Sequence, residues 1–148
     1  MAAGTTAISY PSAEQSTARD AVVLLGRFLF ALIFLMSGPN HFSKQTIAYA
    51  ASQGVPLASL AVPFSGVLAI LGGLSILLGY RAKIGAWLIV AFLVPVTLML
   101  HKFWGVADPM AAQMQMIMFL KNVSILGGAL LMSVLGPGPL SLDARRSR

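Results

Sequence analysis

The fold of this chain is decided by residues 25–42, which read Leu25-Gly-Arg-Phe-Leu-Phe-Ala-Leu-Ile-Phe-Leu-Met-Ser-Gly-Pro-Asn-His41-Phe42. This run is apolar and long enough to enter a lipid bilayer as a helix. Arg27 lies near its start, and Gly38-Pro39 must end or kink the helix because proline lacks a backbone donor. Asn40 and His41 follow where the apolar run stops. The stretch therefore predicts a membrane helix that carries a cation and delivers polar side chains to one end.

Composition places the whole chain in the membrane class. Hydrophobic residues make up 57% of the 148 positions and charged residues only 9%, whereas about a quarter of a soluble domain is charged. The net charge of +6 does not indicate nucleic-acid binding, because the basic residues separate apolar runs instead of forming a basic face. The absence of cysteine excludes disulfides, thiolate-bound iron–sulfur clusters and thiol–disulfide exchange by this chain itself.

The order of apolar runs predicts an all-α integral membrane four-helix bundle. We expect spans at about residues 21–37, 60–80, 84–100 and 114–135, with a short interfacial helix within 43–56. Asp108-Pro109 is a typical helix start, and the seven-residue spacing of Gly66 and Gly73 predicts a packing seam on the second span. A polar tail (1–20) and a basic tail (137–148) flank the transmembrane domain (21–136).

Two further features concern topology. Ile70-Leu-Gly-Gly73 recurs as Ile125-Leu-Gly-Gly128, which indicates a parallel repeat of two hairpins, although chance recurrence stays open. Lysine and arginine favour the cytoplasmic side. The loops of one side carry only Lys44 and Lys102. The other side, which holds both tails and the turn at Arg81, carries six basic residues: Arg19, Arg81, Lys83, Arg145, Arg146 and Arg148. We therefore expect a multi-pass protein of the cell (inner) membrane with both termini in the cytoplasm.

Two cations lie inside the predicted spans, and no carboxylate does. A charge at the bilayer centre costs about 2.5–3.5 kcal/mol on insertion scales. Arg27 could extend to the nearer interface, onto Asp20 or a lipid phosphate, so it is both an anchor and a candidate binding residue. Lys121 shares a helix face with Ser124 and Gly128, which predicts that it points into the bundle, with extension to the interface as the alternative.

Four further polar residues join Lys121 in a candidate site. His41 and His101 end the first and third spans on the same side, and Thr97 lies one turn before His101. With Lys121 and Asn122 they predict an outward-opening cavity that is rich in donors and lacks a carboxylate. Such a cavity suits a small anion or the carbonyl oxygen of a quinone, while simple interfacial roles remain the alternative. Both histidines lie at helix ends, which disfavours haem ligation, and we predict no metal because further zinc ligands are absent.

The chain resembles the DoxX family of membrane proteins over about residues 21–136. The resemblance is carried by residues 25–42, Gly54-Val-Pro56, Ile70-Leu-Gly-Gly-Leu-Ser-Ile-Leu-Leu-Gly79, the turn at Arg81, and Phe119-Leu-Lys-Asn-Val-Ser-Ile-Leu-Gly-Gly128. It implies a four-helix membrane domain and links to thiosulfate:quinone oxidoreduction or to membrane complexes that handle oxidative or thiol stress. The family motif positions are Gly26, Arg27, Gly38, Lys121, Asn122 and Gly128. Many relatives have a lysine near the position of His41, which implies different local chemistry here.

These observations predict a membrane subunit of a redox system that binds a quinone or a small anion. Lys121 and His41 or His101 would donate hydrogen bonds to the ligand, and a histidine would pass the accompanying proton. Electrons would come from a protein partner, so the chain would be part of a quinone-linked oxidoreductase without necessarily being its catalytic subunit. The alternatives are a non-catalytic scaffold that assembles a membrane complex and a small anion transporter. The expected partners are the lipid bilayer, a protein of the same complex and a second copy of the chain.

Overall fold

The computed structural model of the chain describes residues 13–146, and within them it is helical without strands. The elements are α1 (Ala13–Ser37), a 3-10 helix (Gly38–Phe42), α2 (Lys44–Ser52), α3 (Ala58–Leu78), α4 (Ala82–Leu100), α5 (Pro109–Leu135) and α6 (Leu142–Arg146). Four segments are long and apolar enough to cross a membrane, namely Thr17–Phe42, α3, α4 and α5. The predicted all-α membrane bundle is confirmed.

The helix boundaries follow from local chemistry. The α-helical part of the first span ends at Ser37, and Pro39 lies at the start of the 3-10 helix. Asp108 caps α5 by accepting a 2.7 Å hydrogen bond from the main-chain N–H of Ala111, as the Asp-Pro pair predicts. Helix α1 already begins at Ala13, inside the segment predicted as a polar tail. The rest of that segment and residues 147–148 lie outside the described residues.

Glycines bring the helices into close contact. A Cβ atom on Gly72 would lie 3.0 Å from the carbonyl oxygen of Gly85, so α3 and α4 almost touch along their backbones. Gly73 lies against Phe34 of α1 and Gly66 lies against the 3-10 helix. The predicted glycine seam is therefore confirmed as an internal one. It lets α3 pack between α1 and α4, while α5 packs against α4 and also reaches α1.

The apolar core forms where these helices meet. Its largest fully buried side chains are Phe34, Ile76 and Ile89. Phe34 also meets Phe92 of α4 edge to face, with 6.0 Å between the ring centroids. Edge-to-face contact is a favoured aromatic geometry, so this pair ties α1 to α4 across the bundle.

The end of the bundle that holds the α3–α4 turn is closed by the C-terminal segment. Asp143 accepts hydrogen bonds from the main-chain N–H groups of Arg81 (2.8 Å) and Ala82 (3.0 Å). Its own N–H donates to the carbonyl oxygen of Gly79 at 2.9 Å. Asp143 thus caps the start of α4 from outside that helix. Residues up to Arg146, predicted as part of a tail, pack against the membrane domain.

Candidate functional site

A cavity of about 280 Å³ lies at the other end of the bundle, between α2, α3 and α4. Most of its wall is apolar, and its polar side chains come from His41, Thr46 and Ser65. It extends to Ala91, nine residues before the end of α4 at Leu100. At a rise of 1.5 Å per residue, that position lies about 14 Å from the helix end. The cavity therefore reaches well into the membrane span.

His41 is held in one orientation at the wall of this cavity. It follows Pro39 in the 3-10 helix, and a Cβ atom on Gly66 would lie 2.7 Å from its Cβ. Its ring meets Phe92 edge to face at 5.5 Å. Nδ1 donates to the carbonyl oxygen of Ser37 at 3.1 Å, because a carbonyl can only accept. Within the described residues this leaves Nε2 unpaired. Nε2 can therefore accept a hydrogen bond when the ring is neutral and donate one when the ring is protonated.

Apart from the Thr46 hydroxyl, which is paired with the Ser43 hydroxyl at 2.8 Å, the remaining polar atoms on the wall are acceptors. Ser65 uses its hydroxyl proton on the carbonyl oxygen of Val62 at 2.6 Å, so its oxygen keeps free lone pairs. Pro95 has no N–H, and therefore the carbonyl of Ala91 lacks its usual donor four residues later. Both Ala91 and Pro95 line the cavity. The wall thus offers acceptors, one paired threonine hydroxyl and one histidine, and no lysine, arginine or carboxylate lines it.

The second predicted histidine lies elsewhere. His101 follows the last residue of α4, and its Nδ1 is 3.0 Å from Oε1 of Gln115 in α5. Thr97, one turn earlier, is buried with 6% exposure. Neither residue lines the cavity beside His41. The two histidines share one end of the bundle but occupy different gaps, His41 beside α3 and α4 and His101 between α4 and α5.

The orientation predicted for Lys121 is wrong. Lys121 and Ser124 are exposed, whereas Asn122 is buried with 5% exposure. Successive residues on a helix differ by about 100° in direction, and the packing of α5 on α4 turns Asn122 inward and leaves Lys121 exposed. Neither residue lines the cavity. The predicted five-residue cluster does not form one site.

Arg27 lies at the opposite end from His41 and is enclosed by the C-terminal segment. Its side chain is only 3% exposed. Nη1 donates to the carbonyl oxygen of Pro137 at 3.0 Å, and Nη2 donates to that of Leu140. Nε is buried without a hydrogen-bond partner among the described residues. The guanidinium therefore holds main-chain carbonyls of its own chain instead of extending to lipid.

Sequence reasoning missed most of the cavity wall. Thr46 lies on the short helix α2, and Ser65 lies within the apolar span α3. Neither residue belongs to a sequence pattern that predicts a binding site. Pro95 inside α4 is recognisable in the sequence as a residue that frees the carbonyl about four residues earlier, but the sequence does not show that it lines a cavity. Within residues 13–146, no three of the potential metal ligands His, Cys, Asp and Glu come together.

Comparison with known proteins places the chain in a family. The family model DoxX matches residues 22–102. The chain is 34% identical over 130 residues to the inner membrane protein YphA of Escherichia coli (strain K12), covering 86% of this chain and 92% of that protein. It is 30% identical over 126 residues to the inner membrane protein YqjF of the same organism, covering 84% and 91%. No solved structure matches the chain. This four-helix membrane protein belongs to the DoxX family.

Proposed function

We propose that this protein is an inner-membrane subunit of a redox system and that it binds a quinone in the cavity beside His41. The observation that carries the proposal is the pairing of an apolar, membrane-deep cavity with one histidine whose Nε2 is unpaired among the described residues. A quinone has a flat apolar ring with two carbonyl oxygens, so it matches both features. At about 280 Å³ the cavity is near the lower limit of ligand pockets, which suits one ring with its tail directed into lipid.

The same cavity disfavours a small anion as the ligand. An anion buried in apolar surroundings needs a cation or several donors to replace its hydration. Lys121 is exposed on α5, and Arg27 is occupied by carbonyl oxygens at the other end of the bundle. His41 would be the single titratable side chain in contact with the ligand. A neutral quinone carries no such requirement.

His41 would serve both redox states of the ligand. The protonated ring donates from Nε2 to a quinone carbonyl oxygen, and the neutral ring accepts at Nε2 from a quinol hydroxyl. Reduction of a quinone to a quinol takes up two electrons and two protons. His41 would deliver one proton, and the second would come from water at the membrane surface. The electrons would come from a protein partner, since cysteine is absent from this chain. Free acceptors at Ser65 and Ala91 would receive the second quinol hydroxyl.

Assembly of a complex through the glycine seams has less support. Gly66, Gly72 and Gly73 are buried and contact other helices of the same chain. They are therefore not available to a second protein. A partner that supplies electrons would have to use another surface, such as the outer face of α5.

The proposal can be tested by titrating the purified protein with a short-chain quinone analogue. We expect saturable binding that weakens about tenfold in His41→Phe, which keeps an aromatic ring beside Phe92 but loses the hydrogen bond to the ligand as well as that to Ser37. The control Lys121→Gln should bind as the original protein does, because its side chain lies outside the cavity. Unchanged binding in His41→Phe combined with loss in Lys121→Gln would contradict the proposal.

A further inference from the structure

An exposed group of two arginines and one tyrosine is assembled at the end of the bundle opposite the cavity. The guanidinium carbon of Arg81 lies 5.9 Å from the ring centroid of Tyr80, and that of Arg146 lies 5.2 Å from the same centroid. Arg81 belongs to the α3–α4 turn and Arg146 to α6, so folding alone brings the two cations together. We propose that Tyr80, Arg81 and Arg146 bind the phosphate group of an anionic phospholipid.

Both cations are fixed by the backbone that carries them. Helix α6 is attached to the α3–α4 turn through the two hydrogen bonds that Asp143 accepts, from Arg81 and Ala82. Ser75 holds the turn itself, because its hydroxyl donates to the carbonyl oxygen of Tyr80 at 2.6 Å. Arg146 lies three residues after Asp143, within one helical turn. A site built in this way loses little conformational freedom when a ligand binds.

The cluster carries positive charge that its surroundings do not balance. Asp143 lies beside Arg81 and uses both carboxylate oxygens on main-chain N–H groups, but its single negative charge offsets only one of the two arginines. Like charges brought together repel, and an anion between them removes that repulsion. The pKa of the Tyr80 phenol is lowered, first by its hydrogen bond with Arg146 and then by the charges of Arg81 and Arg146. That direction agrees with a local excess of positive charge.

The position of the cluster favours a phospholipid over a free phosphate. Tyr80 and Arg81 lie between two membrane-spanning helices that end at Leu78 and begin at Ala82. This is the level at which lipid headgroups meet the protein. Trp87, exposed just over one turn into α4, has the side chain typical of this interface. Guanidinium groups also match phosphate oxygens with two parallel hydrogen bonds.

The test measures lipid retained by the detergent-purified protein in native mass spectrometry, with phosphatidylglycerol and phosphatidylcholine as probes. We expect phosphatidylglycerol to be retained preferentially, and Arg81→Gln and Arg146→Gln each to weaken its binding about fivefold. The matched control is Arg145→Gln, which removes the same charge from the same helix but leaves the Tyr80 contacts intact. It should change binding less than twofold. All three residues are exposed, so the substitutions should leave the melting temperature unchanged. Measuring that temperature checks that each variant is folded.

Three results would overturn the proposal. An equal loss in Arg145→Gln would mean that the whole basic surface, and not this cluster, attracts the lipid. Equal retention of phosphatidylcholine would mean that the net charge of the headgroup is not recognised. Displacement of phosphatidylglycerol by inorganic phosphate at millimolar concentration would assign the cluster to a soluble phosphate instead of a lipid.

Discussion

Nη1 of Arg27 lies 3.0 Å from the carbonyl oxygen of Pro137, 110 residues further along the chain. This contact closes one end of the bundle, because the C-terminal segment passes over the guanidinium and continues to the α3–α4 turn. The opposite end holds the cavity beside His41. Arg27 and His41, the two basic side chains of the first span, thus have different roles. Arg27 fastens a segment of the fold, and His41 is available to a ligand.

We predict that Arg27→Met releases the C-terminal segment. The substitution removes charge-assisted hydrogen bonds to Pro137 and Leu140, each worth about 1.5–3 kcal/mol. Part of this loss is offset, because a buried guanidinium with an unpaired Nε is also removed. The expected net destabilisation is roughly 1–3 kcal/mol. Hydrogen exchange of residues 137–146 and of the Arg81 and Ala82 amides that Asp143 caps should accelerate, whereas exchange in the rest of α3 and α4 should change little.

Arg19→Met is the control for this prediction, since Arg19 is an exposed arginine on the same helix. It should leave exchange of the C-terminal segment unchanged. If the segment remained equally protected in Arg27→Met, the guanidinium would not be what holds it.

Gly79 should tolerate no side chain. Its φ is +63°, and a Cβ atom there would collide with Nη1 of Arg27 and Cβ of Ser141. We predict that Gly79→Ala lowers the free energy of unfolding by about 1–3 kcal/mol, as overpacking usually does, with a lower melting temperature. Gly26→Ala is the matched control, because a Cβ at Gly26 meets nothing within 4 Å. Equal melting temperatures for the two variants would contradict the close packing at Gly79.

The sequence was sufficient for the four spans and insufficient for α6, for the early start of α1 and for the long-range contacts. Apolar run lengths locate the four spans, and the chemistry of Asp108 and Pro39 locates two of the helix boundaries. The contact between Arg27 and Pro137 joins distant parts of the chain and has no local signal. A Gly-Pro-Gly-Pro stretch after an apolar helix predicts where the helix ends, but not that its carbonyls return to an arginine.

The predicted residues do not form one site because the direction in which each helix face points depends on how the helices pack. Thr97 and Pro95 are two residues apart on α4, about 200° in direction, so Pro95 lines the cavity and Thr97 does not. His101 lies four residues after Thr97, on the same side of α4, and its ring contacts the side chain of Gln115 in α5. The sequence predicted that the two histidines lie at the same end of the bundle, since each follows an apolar span that ends on the same side. Which gap each side chain enters is decided by the neighbouring helix.

Tyr80 provides a spectroscopic test of the charge at the other end. We predict that its phenol ionises at lower pH than an ordinary tyrosine, because the adjacent arginines stabilise the phenolate. Arg146→Gln should raise that pKa toward the ordinary value, since it removes both a hydrogen bond and a charge. Absorbance titration of the phenolate measures the change, and Tyr80→Phe identifies the signal among the three tyrosines. An identical titration in Arg146→Gln would show that Arg146 does not reach the phenol.

We propose that the quinone enters the gap between α2, α3 and α4. The most direct measurement is photolabelling of the purified protein with an azidoquinone, followed by peptide mass spectrometry. Labels should fall on residues 61–68 and 91–100, and Ala61→Phe should reduce them by filling the cavity. Leu60→Phe, at the exposed neighbouring position, should not. Labels on α5 around Lys121, unaffected by Ala61→Phe, would contradict the account.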